Sequence, residues 1–448
     1  PQDIWSLTLN EAFTFTNAPL TLRSGALTAR NGTISNDVVL GTHAVWNTGM
    51  AYPATLSVFG CVSDGGAGYG LTKTGIRTLD LKANNTYKGP TVSSATEGYL
   101  YLRGTNDTCF IHCNGGNLYA LGVCPSVTGS LVSAGTLAIG TDASLGGATV
   151  VVSNGVFANG GSKAGLTLTN RFVFQTNRLR FSSGKGLHLT TPITLNGHTY
   201  LEQNSGNHMP AMTLSGDIGE SAPGCRLAIW AGENRILSLK GDNSYSGGTS
   251  LTNGFLAIGH TNALGSGTFS LIGNTNVTAV TKVFLLPLQD MTLPNALDIR
   301  DDFSVGPGGP GKTLTFTNAI ALRGPVTNFA IEAKSYNRLN LHNDIAMPDG
   351  PRSVRLTGGH GILSLTGSNA FSSVVFDNGD TYLGTGLYGL YVAGDHALGS
   401  GLLTIKTYNI HDRYQAIRAD PGPATVANDI WIDDAFSIWD GYLWLILG

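Results

Sequence analysis

Four groups of residues have types and spacings with chemical potential. The stretch GPGGPGKT from Gly306 to Thr313 fits the G-x-x-x-x-G-K-T phosphate-loop pattern letter for letter. A working loop presents backbone N–H groups to phosphates and leads into a helix. Pro307 and Pro310 remove two of those donors, and the following LTFTNAIAL reads as a strand, so the stretch is expected to be a corner. Asp301–Asp302 and Asp433–Asp434 are paired carboxylates of the kind used in acid/base hydrolysis, and Asp377 and Asp380 form a looser pair. Carboxylates at turns are more often solvated corner residues, and that is the expectation for these.

Cys109, Cys113 and Cys124 gather in one stretch, while Cys61 and Cys225 stand alone. An oxidising compartment would favour one or two local disulfides within that cluster. Free thiols, or a zinc site completed by His112 and His43, are the alternatives; the C-x3-C spacing lacks a second knuckle. Tyr87, Tyr245, Trp46, Trp230, Trp431, Trp439 and Trp444 would suit sugar stacking if exposed, or packing if buried.

The elements that must position these groups follow from composition and repetition. Only 12% of the 448 residues are charged, about half the usual share, and 61 are glycine. A coat of Thr, Ser and Asn joined by glycine corners suits short strands. The formal net charge of −3, without a long Lys/Arg run, offers no attraction to nucleic acid or anionic lipid. No apolar run reaches the roughly 18 to 20 residues of a membrane-spanning helix. The start at Pro1 is expected to mark an internal piece of a longer polypeptide.

Self-similarity decides the architecture. RILSLKGDNSYSGGTSLTNG, from Arg235, returns as GIRTLDLKANNTYKGPTV from Gly75 and, loosely, as GILSLTGSNAFSSVVFDNG from Gly361. A second pattern recurs as GTLAIGTDASLGGATV from Gly135, GFLAIGHTNALGSGTFSL from Gly254 and LYVAGDHALGSGLLTI from Leu390. A third is marked by Asn36, Asn170, Asn295 and Asn428, spaced 134, 125 and 133 residues apart. Asp301 and Asp434 lie six residues past their unit asparagines, where the other units carry Thr42 and Thr176.

Period-two alternation, glycine corners and no helical crossover predict an all-β chain folded as a parallel, right-handed β-helix solenoid. At roughly 20 to 25 residues per coil the chain would make about 20 coils, a rod of order 90 to 100 Å. Leu79 with Leu81, Leu237 with Leu239 and Leu363 with Leu365 would face the dry interior. The corner asparagines are expected to adopt left-handed turns and stack into ladders. The expected organisation is partial leading coils over 1–35, then units over 36–169, 170–294 and 295–427, and an incomplete fourth unit over 428–448. The segment at about 99–128, which interrupts the repeat and holds the three clustered cysteines, is expected to be a lateral insertion.

The repeat resembles the autotransporter-associated β-strand repeat: a Leu-x-Leu strand, then Asn-Thr/Ser-Tyr-x-Gly-Gly-Thr, then Gly-x-Leu-x-x-Gly. The match is carried by Asn243, Tyr245, Gly247 and Gly248, by Asn85, Tyr87 and Gly89, and more weakly by Asn369 with Phe371 in place of Tyr. Pro90 stands for the second glycine in the first of these copies. The clear matches cover about a third of the chain. The resemblance implies a passenger-type β-helix, secreted or displayed on a bacterial surface, with no catalytic residues and no cofactor. This chain shows no C-terminal membrane barrel.

Together these readings lead to a structural or adhesive stalk, with self-association or neighbouring coils as partners and cell-surface polysaccharide as a further one. A polysaccharide lyase or hydrolase and a carbohydrate-binding module are the rivals. The apolar strand around Trp439, Tyr442 and Trp444 is expected to meet further coils or the next subunit.

Overall fold

The computed structural model describes residues 2–9, 14–15, 18–49, 55–94, 97–182, 185–203, 212–232, 235–273, 283–306, 311–357, 361–377, 388–406, 415–419 and 426–433. These form 42 strands, and no helix occurs among the described residues. Every pairing with a printed register is parallel, each strand lying on its counterpart one coil earlier and later, as a β-solenoid requires. The chain divides into two compact units, Pro1–Ala222 and Pro223–Gly448.

Alternation explains both the strands and the core. In Ala44–Thr48 burial alternates strictly, with Trp46 inside and Val45 outside. Inward residues of successive coils stack into continuous apolar columns. In the first unit one column runs Leu56, Leu79, Leu100, Leu118, Leu137 and Phe157, all buried. In the second, Leu314, Leu339, Leu363 and Leu390 form another. Fully burying each such side chain is worth about 1.5 to 3 kcal/mol, which offsets the cost of ordering its coil.

Glycine corners are a packing requirement. A Cβ on Gly122 would lie 1.9 Å from the Gly104 carbonyl oxygen, and one on Gly161 would lie 2.2 Å from that of Gly140. Coils one strand spacing apart leave no room for a side chain there.

The register also corrects three expectations. Through Thr14, Thr33, Ser57, Asp80, Tyr101, Tyr119, Ala138, Ala158 and Ser182 the first unit makes eight coil steps of 18 to 24 residues. Through Gly254, Val283, Phe303, Ile331, Leu356, Phe376, Ile405 and Ile432 the second makes seven steps of 20 to 29. The solenoid therefore has about 15 turns instead of about 20, because several second-unit coils exceed the assumed length.

Second, residues 99–128 are not a lateral insertion. Strand Tyr99–Leu102 pairs with Thr78–Leu81 on one side and with strand Phe110–Ala120 on the other, which pairs in turn with Gly129–Ile139. From Asp80 to Ala138 takes three coil steps, whereas the equivalent passage from Ser238 to Ala257 takes one. The segment is thus two additional coils threaded into the stack. Their inward positions carry Leu100, Leu102, Leu118 and Ala120, so they fit the column as ordinary coils do.

Third, the corner asparagines are not left-handed. Among the described non-glycine residues, only Ser335 and Tyr336 have positive φ. The asparagines instead act through their side-chain amides, in bonds that pin one coil to the next.

Candidate functional site

Two arrangements recur or stand out once the coils are built: asparagine clasps inside, and a tyrosine column outside. The Ala/Ser-Leu-Gly turn is clasped from one side by Asn243, whose Nδ2 donates to the Ala263 carbonyl at 2.6 Å, and by Asn369, which donates to Ala397 at 2.6 Å. From the other side Asn170 donates to the Ala148 carbonyl at 2.9 Å, Asn295 to Gly267 at 2.7 Å and Asn428 to Gly401 at 2.6 Å. Asn36 makes the corresponding bond to the Ala18 carbonyl. All six amides belong to buried or nearly buried side chains. An unpaired buried carbonyl costs about 1 to 3 kcal/mol, so these positions tolerate few other residue types.

Asn85 performs the same task against an additional coil. Its Oδ1 accepts from the Val62 N–H at 2.9 Å, and its Nδ2 donates to Asn106 Oδ1 at 2.7 Å, a two-step asparagine ladder. Asn369 Oδ1 likewise accepts from Ile345 N–H at 2.7 Å. Tyr87 and Tyr245 are fully buried, and each phenol bonds a threonine four residues on, Tyr87 to Thr91 at 2.6 Å and Tyr245 to Thr249 at 2.5 Å. Burial pushes both phenols far above their ordinary pKa. Gly89 and Gly247 lie against backbone of the preceding coil, where a Cβ would meet atoms at 2.3 Å, and Gly248 holds φ +85°. Tyr87, Tyr245 and Trp46 are therefore core and corner residues, and sugar stacking is not open to them.

The tyrosine column lies on the two additional coils. Leu100, Leu102, Leu118 and Ala120 face inward, which forces Tyr99, Tyr101 and Tyr119 outward. Tyr101 and Tyr119 are register partners with ring centroids 4.8 Å apart and planes tilted 30°. Tyr99 lies 6.1 Å from each, nearly parallel to Tyr101 at 9°, and is 41% exposed. Partial burial, with Tyr119 and Tyr99 alongside, raises the pKa of Tyr101; partial burial also raises that of Tyr119. The rings therefore stay uncharged phenols at neutral pH.

Charge frames one end of the column. Arg103 Nε donates to Asp80 Oδ1 at 2.7 Å, and its guanidinium sits 4.9 Å from the Tyr101 centroid. Lys82 Nζ lies 3.9 Å from Asp80 Oδ2 and 4.3 Å from the ring centre of the exposed Phe59. At the other end Tyr119 leans over Ala138 toward Gly160: a Cβ at Gly160 would lie 3.0 Å from Tyr119 Cδ1. Sequence reasoning nominated other aromatics and missed this set. The available signal was the Tyr-Leu-Tyr-Leu alternation at Tyr99–Leu102, inside the segment that departs from the repeat.

The other nominated residues are distributed. All five cysteines are thiols in this structure, which corrects the expected disulfide cluster. Cys109 is exposed, while Cys113 and Cys124 face the interior, where burial pushes their thiols up to about 11 and about 12. His112 Nε2 instead meets the Ser133 hydroxyl at 2.9 Å. Asp301 Oδ1 accepts from the Asp302 N–H at 2.8 Å and Asp302 Oδ1 from the Ala330 N–H at 2.7 Å, so this pair shapes a corner. Burial raises the pKa of Asp301. Asp377 pairs with Arg355 at 2.6 Å. Thr313–Phe316 is a strand, and Lys312 N–H donates to Asn337 Oδ1, so the Gly306–Thr313 stretch leads into no helix. Trp431 is exposed; Trp439, Tyr442, Trp444, Asp380 and Asp434 lie outside the described residues. Among the described residues no three His, Cys, Asp or Glu side chains gather as a metal set.

No protein-family model, curated protein or solved structure matches this chain.

Proposed function

We propose that the chain is a structural and adhesive segment of an extracellular surface fibre, with stacked coils as its scaffold and side chains on its flank as contacts. The observation that carries this reading is the recurrence of one clasp: Asn170, Asn295 and Asn428 each tie the same kind of turn to the following coil. Such a device serves extension by stacking, since each added coil meets the chemistry that the previous one met. The near-neutral coat and the resemblance of the Leu-x-Leu and Asn-x-Tyr patterns to autotransporter-associated repeats support display outside a bacterial cell. Neighbouring coils or further copies are the expected partners, with surface polysaccharide as a second one.

The lyase or hydrolase reading requires carboxylates free to exchange protons with a substrate. Asp302 and Asp377 are instead engaged with a backbone N–H and an arginine. Immunogold labelling of cells of the source organism with antibody to this chain should decorate the envelope or its filaments. Label confined to the cytoplasm would sink the proposal. Release of reducing ends from a polysaccharide by the purified chain, abolished in Asp301→Asn, would move the assignment to the enzyme class.

A further inference from the structure

The two additional coils differ from the repeats around them in what they present outward. We infer that Tyr99, Tyr101 and Tyr119, with Arg103 and Asp80, form a lateral binding face for a neutral polysaccharide. This inference rests on the adhesive reading above and names the ligand class of that surface.

A pyranose ring has C–H-rich faces and a rim of hydroxyls, and the column offers matching parts. Three phenol rings within 4.8 to 6.1 Å of one another supply apolar surface on rigid strands. The hydrogen-bonding rim is supplied by the phenol hydroxyls and by the Arg103–Asp80 pair, in which the arginine side chain is 45% exposed and the carboxylate is buried and held. The rings belong to consecutive coils, so the face advances by about one strand spacing of 4.8 Å, a scale similar to the advance of a glycan chain. Rigid rings on a packed sheet lose little conformational entropy on binding, which favours recognition by a small patch.

Charge selects the neutral class. Arg103 is bonded to Asp80, and Lys82 lies beside the same carboxylate, so the patch carries no surplus cation for a sulfated or uronic-acid polymer. A purely apolar partner is disfavoured because the charged pair and the phenol hydroxyls would be desolvated without replacement bonds.

Position within the repeat supports a recruited surface. Where the second copy passes from Ser238 to Ala257 in one coil, the first passes through Tyr101 and Tyr119. The inward residues of the additional coils repeat the ordinary leucine chemistry, so what those coils add to the outside is this column. Gly160 keeps its far end open: any side chain there would press on Tyr119.

The test uses the full chain in affinity electrophoresis through gels containing mannan, galactan, dextran or xyloglucan, with polygalacturonate and heparin as anionic gels. Retardation is expected in at least one neutral gel, unchanged by moderate salt. Tyr101→Ala with Tyr119→Ala should weaken it about tenfold or more, while Phe255→Ala, on an outward stack of the second unit, should leave it unchanged. Thermal melting of each variant checks that the coils remain folded; Tyr101→Phe with Tyr119→Phe, which keeps the rings, should retain most of the retardation. No retardation in any neutral gel, retardation only in anionic gels, or retardation indifferent to the double alanine variant overturns the inference. Surface labelling is independent of these outcomes, so failure here with label on the envelope removes only the sugar face.

Discussion

Leu79–Thr91 and Leu237–Thr249 are two copies of one strand-turn pattern, alike inside and different outside. Inside, Leu79 and Leu237 fill the column, Tyr87 and Tyr245 bond the same threonine, and Asn85 and Asn243 clasp the coil that follows. Outside, the first copy is followed by coils bearing Tyr99, Tyr101 and Tyr119, whereas the second is followed by a coil whose outward Phe255 stacks flat on Phe284 at 4.3 Å. A solenoid constrains the two faces separately. The interior must match the coil on either side, so drift is costly there; the exterior answers only to solvent and partners.

The comparison is most strongly tested at the shared phenols. Tyr87→Ala and Tyr245→Ala should each cost about 3 to 5 kcal/mol in urea denaturation, since each leaves a large cavity. Each should also loosen hydrogen-exchange protection in its own unit. A mild effect in only one copy would break the claim that the interiors are equivalent.

The clasps come next. Asn243→Ala and Asn369→Ala should each cost about 1 to 3 kcal/mol by leaving a buried carbonyl unpaired. Asn85→Ala should fall at the upper end, because both the Val62 N–H and Asn106 Oδ1 lose their partner. A loss below about 0.5 kcal/mol at all three would mean that the amide bonds are incidental.

One interior position departs from equivalence and sharpens the comparison. Lys73 pairs in register with Ser93, where the second copy pairs Ile229 with Leu251, and it is fully buried. Burial pushes its ammonium down to about 8. The unfolded chain, with Lys near 10.4, then binds more protons between about pH 8 and 10, so stability should rise with pH from about 8 toward 10. Lys73→Ile should remove that rise and stabilise the first unit at pH 7 by about 1 to 2 kcal/mol. An unchanged slope between pH 8 and 9.5 would contradict the assignment.

The smallest effect belongs to the thiols of the additional coils. Maleimide should label Cys109 readily in the native protein, while Cys113 and Cys124 should react only on unfolding, being buried and raised to about 11 and about 12. Native labelling of all three would show that these coils open where the repeats do not.

Much of the fold was legible in the chain because a solenoid writes its contacts periodically. Leu-x-Leu strands reported the interior at Leu79, Leu237 and Leu363, and the recurring asparagines reported a conserved task before that task was known. Residues 99–128 were harder: a break in the repeat does not distinguish a lateral loop from extra coils, since both interrupt the copied text. The register resolved it, with Tyr99 on Asn117 and Phe110 on Gly129. The candidate site was less legible, because alternation says that an aromatic points outward but not which residues lie beside it on neighbouring coils.

The sequence by itself determined the class of the protein: parallel strands, glycine corners and an apolar column, all consequences of period-two alternation repeated along the chain. Only the tertiary structure decided that Tyr87 and Tyr245 are core, that Asn85 reaches Asn106, and that Tyr101 lies on Tyr119 with Arg103 and Asp80 at their edge. Those facts depend on which residues become neighbours one coil apart. With coils of 18 to 29 residues, that distance along the chain varies from step to step and is set by packing.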